Sequence, residues 1–436
     1  MKTLSLLLAL LFLLALPARA QVPQPEDLSA AAALLMDADT GQVLYSKNGD
    51  QLMAPASITK ILTGLLAMEY LEEDQVLTAS AQAADIPSWG TSIDLQAGEE
   101  LTVRDAMYAM MLPSANDAAN VIAEEIAGSL EAFAQLMNQR AAQLGAVHTH
   151  FTNANGLPDD DHLTTAYDMA LITRQAIRIP GFLQYFGAES YSMPATNLSG
   201  ERALSNTHRM LRSGYEEYDE TVIGGKTGFT DQAGYTLVTV AQRAGRTLIC
   251  VVLHSEEFYD DTQLLLELGF GEFSPVLYRL EEQEGASVPL LDGDQQIGSA
   301  VLSLPGDPIV LLLHQDADLS MLSPSYTLPQ GIDGEGSPEG VLQLEMEAQG
   351  ENPAFVTLSI PLHVQSIQLT DPVPLETAPP QEPGETEEDS SFPLLSFLPP
   401  VLLLAVILLI LRARSRRNRR RRAYRTARAY SYSSRR

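Results

Sequence analysis

The chain has 436 residues, one cysteine, and 27 Lys and Arg against 56 Asp and Glu. Twelve of the basic residues lie in 412–436 and two in 1–20, so 13 face all 56 acidic ones between 21 and 411. A body that acidic excludes binding nucleic acid or anionic polymers by charge, and a lone cysteine excludes an intramolecular disulfide. The length allows two globular domains plus appendages. Cys250 stands in the apolar run 247–253 and reads as a small buried hydrophobe.

Residues 1–20 read as a signal peptide: Lys2, an apolar run over 4–16, then Ala18-Arg19-Ala20. The chain after residue 20 is therefore expected outside the cytoplasm. Residues 31–37 and 41–46 read as a β-hairpin around Asp39-Thr40-Gly41. Pro55-Ala56-Ser57 reads as a helix start, and Ile58, Ile61, Leu62, Leu65 and Leu66 as the buried face of a helix ending near Tyr70. Residues 101–111 and 117–127 have helical periodicity, with Ser114 and Asn116 in the break at Pro113. Helices over 131–144 and 165–177 flank a polar loop, 151–165. Residues 204–212 carry Asn206 and His208. Lys226-Thr227-Gly228 is expected to open a strand pair, 235–242 and 247–253, closed by a helix over 264–269. Strands at both ends with helices between predict an α+β domain over 28–270, one antiparallel sheet covered by helices.

Residues 272–371 alternate short apolar runs (287–291, 300–304, 309–313, 341–346, 355–362) with Gly, Pro and Asp, the pattern of an all-β domain. Residues 372–391 are rich in Pro, Glu and Thr and read as a disordered spacer. Residues 392–411 are uncharged and long enough for a transmembrane helix. The arginine-rich tail, 412–436, is then cytoplasmic, in contact with anionic lipid rather than nucleic acid.

Ser57 and Lys60 are three apart on one helix face, within reach of each other. A serine hydroxyl needs a base beside it to become a nucleophile, and a desolvated lysine can be that base. Ser-x-x-Lys alone is a weak signal; an exposed helix turn would carry it as well. Here the chain has only Lys2, Lys47, Lys60 and Lys226, so a lysine on an apolar helix is unusual. Two further motifs follow, Ser114-Ala115-Asn116 and Lys226-Thr227-Gly228.

In that order, with flanks Ala54-Pro55-Ala56, Asn155-Gly156-Leu157, Thr165-Ala166-Tyr167-Asp168 and Phe229-Thr230, the set resembles the penicillin-binding protein and serine β-lactamase superfamily. More narrowly it resembles its D-Ala-D-Ala carboxypeptidases. The resemblance covers about residues 31–269 and implies the β-lactamase/transpeptidase-like fold, followed by a small β domain. It implies removal of the terminal D-alanine of peptidoglycan stem peptides through an acyl-enzyme, with β-lactams as inhibitors and no cofactor or metal. Ser57 would be the nucleophile, Lys60 its base, and Ser114, oriented by Asn116, a proton relay. Lys226, Thr227 and Gly228 would bind substrate, and the N–H groups of Ser57 and Phe229 would stabilise the oxyanion. His208 departs from an Asn frequent in the family. An acidic run after the last catalytic strand, Glu256 to Asp261, departs from a frequent Arg. A β-lactamase and a non-catalytic penicillin-sensing receptor remain alternatives. Against the first, residues 144–168 offer Asp159, Asp160 and Asp161 but no Glu to activate water.

Overall fold

The last catalytic strand shows why the sheet sits where it does. In Arg246–Leu253, Leu248, Cys250 and Val252 point to one side, Ile249, Val251 and Leu253 to the other, and all six are buried. An apolar residue at every position is the mark of a strand covered on both faces. The computed structural model describes residues 27–280, 287–292, 295–304, 308–315, 317–327, 339–346 and 356–369. The expected signal peptide, spacer, membrane span and arginine tail lie outside the described residues. Among the described residues no helix is long and apolar enough to cross a membrane.

The sheet is antiparallel, in the order β2-β1-β9-β8-β7. Its strands are β1 (Ala32–Asp37), β2 (Val43–Lys47), β7 (Val222–Thr230), β8 (Gly234–Arg243) and β9 (Arg246–Leu253); between β2 and β7 lie two small antiparallel pairs, β3 (Val76–Thr78) with β4 (Glu100–Thr102) and β5 (Ser190–Met193) with β6 (Arg202–Ser205). Leu34, Met36, Val238, Ile249 and Val251 join the larger core, with the helices α1 (Lys60–Tyr70), α2 (Val103–Met111) and α3 (Asn116–Ala127). Leu35, Leu237, Cys250 and Val252 join the smaller core, with Leu265 and Leu266 of the helix Phe258–Glu272. Burial pushes the Cys250 thiol up to about 12, as expected of an inert core residue.

Several boundaries differ from the expectation for identifiable reasons. Leu101 lies in the short strand Glu100–Thr102, and the helix begins at Val103. Thr102 accepts from the Asp105 N–H while the Asp105 carboxylate bonds back to Thr102, a capping box that fixes the start. Asn116 is the first residue of α3 rather than part of the break. The expected strand pair after Lys226-Thr227-Gly228 forms as β8 and β9, but the motif itself lies inside a further strand, β7, where three glycines in nine residues lower the strand signal. The closing helix is longer than 264–269, running Phe258–Glu272. Asp261 anchors its first turn, accepting from the N–H groups of Ser29 and Ala30 and the Ser255 hydroxyl.

The expected β runs beyond residue 272 fall on strands in a five-stranded antiparallel sheet and a separate pair, Phe273–Tyr278 with Ile309–His314. Phe273–Tyr278 and the edge strand Ser323–Thr327 were not expected. Each contains a proline, Pro275 or Pro324, which removes a ladder donor and reads against a strand. This region has its own core, including Leu302, Leu342, Leu344 and Leu362.

Gln42, fully buried between β1 and β2, joins the two regions. Its amide donates to the Leu312 carbonyl (2.5 Å) and accepts from the Leu312 N–H (2.8 Å). Gln42→Ala would leave both backbone groups buried without partners, at roughly 1–3 kcal/mol each. The expected outcome is a lower urea midpoint than wild type, with the circular dichroism spectrum of the folded protein retained; an unchanged midpoint would show that water replaces the amide.

Candidate active site

Ser57 sits in a tight 3-10 turn, Ala56–Thr59, that runs directly into α1. Ala56 holds φ at 51°, in the left-handed region that non-glycine residues rarely adopt. Gly156 explains how the turn is pinned. At φ 84° it lies so close that a Cβ there would fall 1.9 Å from the Ala56 carbonyl oxygen, so no other residue fits.

Lys60 opens α1 and is completely buried. Its Nζ lies 3.0 Å from Ser57 Oγ and 2.7 Å from Asn116 Oδ1, and contacts the Asn155 carbonyl. The chemistry of these partners matters. The Asn116 amide oxygen and the Asn155 carbonyl can only accept, whereas the Ser57 hydroxyl can also donate. A neutral amine has two protons and one lone pair. It can satisfy the two carbonyl oxygens and turn its lone pair toward the Ser57 proton. Burial holds Lys60 well below the usual lysine range, and the charge of Lys226 adds to the effect; buried Asp117 opposes it. Burial alone lowers Lys226 to about 7. Asp117 in turn is fixed by the N–H groups of Ile93, Leu95 and Ala118.

Ser114 also has a left-handed backbone, φ 70°, and its Oγ is buried with no hydrogen-bond partner. Asn116 does not orient it; the Asn116 amide is bound to Lys60 instead. An unpartnered hydroxyl beside a cleft is available to a ligand. The third wall is β7. A Cβ on Gly228 would lie 2.4 Å from Thr236 Oγ1 and 2.8 Å from the Ser57 nitrogen, so the strand passes Ser57 at backbone distance. Thr227 Oγ1 shares a 2.6 Å hydrogen bond with Thr207 Oγ1. Ser57, Ser114, Thr227, Gly228 and Phe229 line one cleft of about 630 Å³.

Two nearby histidines are structural. His162 bonds Thr59 Oγ1 at 2.8 Å beneath the turn, and burial lowers it to about 4. His208 bonds Thr239 Oγ1 at 2.8 Å, and burial, with Lys226 adding, lowers it to about 3. Both are neutral, and neither bonds Ser57.

Residues 19–257 match the family model of the S11 peptidases, D-alanyl-D-alanine carboxypeptidase. The chain belongs to this family. It is 30% identical over 332 residues to the D-alanyl-D-alanine carboxypeptidase DacF of Bacillus subtilis, covering 73% of this chain and 82% of that protein. A solved D-alanyl-D-alanine carboxypeptidase of Mycobacterium tuberculosis superposes with TM-score 0.53 at 30% identity, over 58% of this chain and 94% of its own. Penicillin-binding protein 6B of Escherichia coli superposes with TM-score 0.55 at 26% identity, over 78% of this chain and 96% of its own. The protein is thus a serine-type D-alanyl-D-alanine carboxypeptidase with the penicillin-binding α+β fold.

Of the eight residues singled out from the sequence, Ser57, Ser114, Thr227, Gly228 and Phe229 line this cleft, Lys60 and Asn116 are bonded to each other beside Ser57, and Lys226 is buried with its Nζ on the Thr227 carbonyl. Sequence reasoning did not assign two partners. The Asn155 carbonyl holds Lys60, and its signal was the Asn155-Gly156 turn pair. Thr207 holds Thr227, and nothing in its neighbourhood marks it.

A lysine that serves as the base for Ser57 has to be neutral, and raising pH deprotonates it. The acylation rate should therefore rise with pH and level off well below the ordinary lysine value. Lys60→Arg keeps the charge but cannot lose its proton, and is expected to acylate about 10²–10⁴-fold more slowly with the fold intact by circular dichroism. A near-native rate in that variant would make Lys60 structural.

Proposed function

We propose that Ser57 attacks the carbonyl of a D-Ala-D-Ala terminus and that Lys60 accepts its proton. The observation that carries this reading is the 3.0 Å contact between Ser57 Oγ and a lysine with no exposure to water. Ser114 then passes a proton to the departing D-alanine. Lys226 and Thr227 meet the terminal carboxylate: one cation near its titration point and one hydroxyl already held by Thr207. The N–H groups of Ser57 and Phe229 face the developing oxyanion, and each such donor typically contributes ~3–4 kcal/mol. Water completes the cycle by hydrolysing the acyl-serine. The substrates are peptidoglycan stem peptides, and β-lactams are trapped at the same serine. Asp159 to Asp161, the acidic residues nearest in sequence to a β-lactamase glutamate, make no hydrogen bond to Lys60 or Ser57 among the described residues, which favours the carboxypeptidase over that alternative.

In the same reading the leader exports the chain, 392–411 span the cytoplasmic membrane, and the catalytic body faces the wall. The acidic body is repelled by anionic lipid, which leaves the span to hold the protein.

Incubation with labelled penicillin followed by peptide mapping should place the adduct on Ser57, and Ser57→Ala should abolish both labelling and D-alanine release from a pentapeptide ending in D-Ala-D-Ala. Label on another serine would refute the assignment. Truncation after Thr370 should give a protein that stays in the supernatant after high-salt sedimentation with membranes and retains peptide hydrolysis; sedimentation of the truncated form would show a second membrane contact.

A further inference from the structure

Part of the cleft is acidic. Glu256, Glu257 and Asp260 line it, followed by Glu217 and one arginine, Arg209. Arg209 is already committed to Glu217 at 2.9 Å. Among the described residues the carboxylates of Glu256, Glu257 and Asp260 make no hydrogen bond or ion pair, and all three residues are exposed. Their place at the start of the helix Phe258–Glu272 does not account for them. Glu257 holds the N-cap position without a side-chain cap bond, and the structural work at that end is done by Asp261. The buried and unpartnered hydroxyl of Ser114 belongs to the lining of the same cleft and marks it as a place built for a ligand.

We propose that Glu256, Glu257 and Asp260 read charge on the acyl donor. The cleft favours peptides that present a free amine near the scissile bond and disfavours those that present a second carboxylate there. The inference rests on the carboxypeptidase reading. Every D-Ala-D-Ala peptide carries the same terminal carboxylate, so that group does not distinguish donors; a second charge does. Three unpaired carboxylates on one wall of a cleft focus a negative potential into it, and a like charge brought against them is penalised. Because the groups are exposed, the effect is screened by salt, with a Debye length of about 10 Å at 0.1 M.

The test uses the full-length chain in detergent and three penicillins with side chains that are neutral, amine-bearing or carboxylate-bearing. Acylation rate constants are expressed relative to the neutral compound, which cancels any loss of folded protein in a variant. At low ionic strength the amine-bearing compound should exceed the carboxylate-bearing one by on the order of tenfold, and the gap should narrow in high salt. In the triple variant Glu256→Gln, Glu257→Gln, Asp260→Asn the ratio should fall close to one, with each single variant taking part of it. Equal relative rates in wild type, or a preference that survives the triple variant, would overturn the proposal. A wild type inert to all three compounds would instead overturn the acyl-enzyme reading, and this proposal with it. Trp89, the only tryptophan in the chain, is 67% exposed on the same cleft, so its fluorescence reports binding separately from acylation.

Discussion

An amine without water is an unstable thing to place inside a protein unless oxygen atoms meet it and its charge is surrendered. Lys60 is in that position. Its partners come from separate segments: Ser57 from the turn before α1, Asn116 from the start of α3, and the Asn155 carbonyl from the loop before the helix Ala166–Ala176. Each segment is fixed in turn. Asn155 is held by Asn120, the turn by Gly156 and His162, and the start of α3 by the N–H of Asn116 bonding the Thr91 carbonyl. Much of the helical layer can be read as the means of bringing these oxygens to one nitrogen.

The sheet supplies the other half. β7 is its edge, and an edge strand has a free side that a substrate backbone can meet. Gly228 lets that edge approach the Ser57 nitrogen, and Thr236 on the neighbouring strand ties the approach down by bonding the Pro55 carbonyl. The two strained residues of the site are Ala56, directly before the Ser57 position, and Ser114. Left-handed backbone at non-glycine residues costs about 1–3 kcal/mol and persists only where the surroundings enforce it. Here the surroundings are buried helices and a sheet packed on both faces.

Lys60 and Lys226 are both buried, and their proximity divides their roles. Two ammonium groups in one apolar region cannot both stay charged. Burial lowers both, and Lys60 feels the charge of Lys226 in addition. The pair therefore favours the neutral form of Lys60 beside the Ser57 hydroxyl, while the Lys226 Nζ donates to the Thr227 carbonyl at 3.1 Å. His208, neutral and buried against β7, contributes no competing charge.

The sequence by itself determined that Ser57 and Lys60 would lie side by side, the order of the three motifs and the α+β class. These depend on local spacing and on periodicity, and both survive without the fold: Ser57 and Lys60 meet because one helical turn brings them together. It also located the β runs beyond residue 272, except where Pro275 and Pro324 masked a strand. Only the tertiary structure decided that Lys226-Thr227-Gly228 is the middle of an edge strand, since glycines chosen for close approach look like turn residues in a sequence. Only it decided that Asn116 serves Lys60 rather than Ser114, that the Asn155 carbonyl is the third partner, and that Thr207 holds Thr227. Those contacts join residues 20 to 95 positions apart, and no local pattern encodes which of many polar side chains will face one another across a cleft.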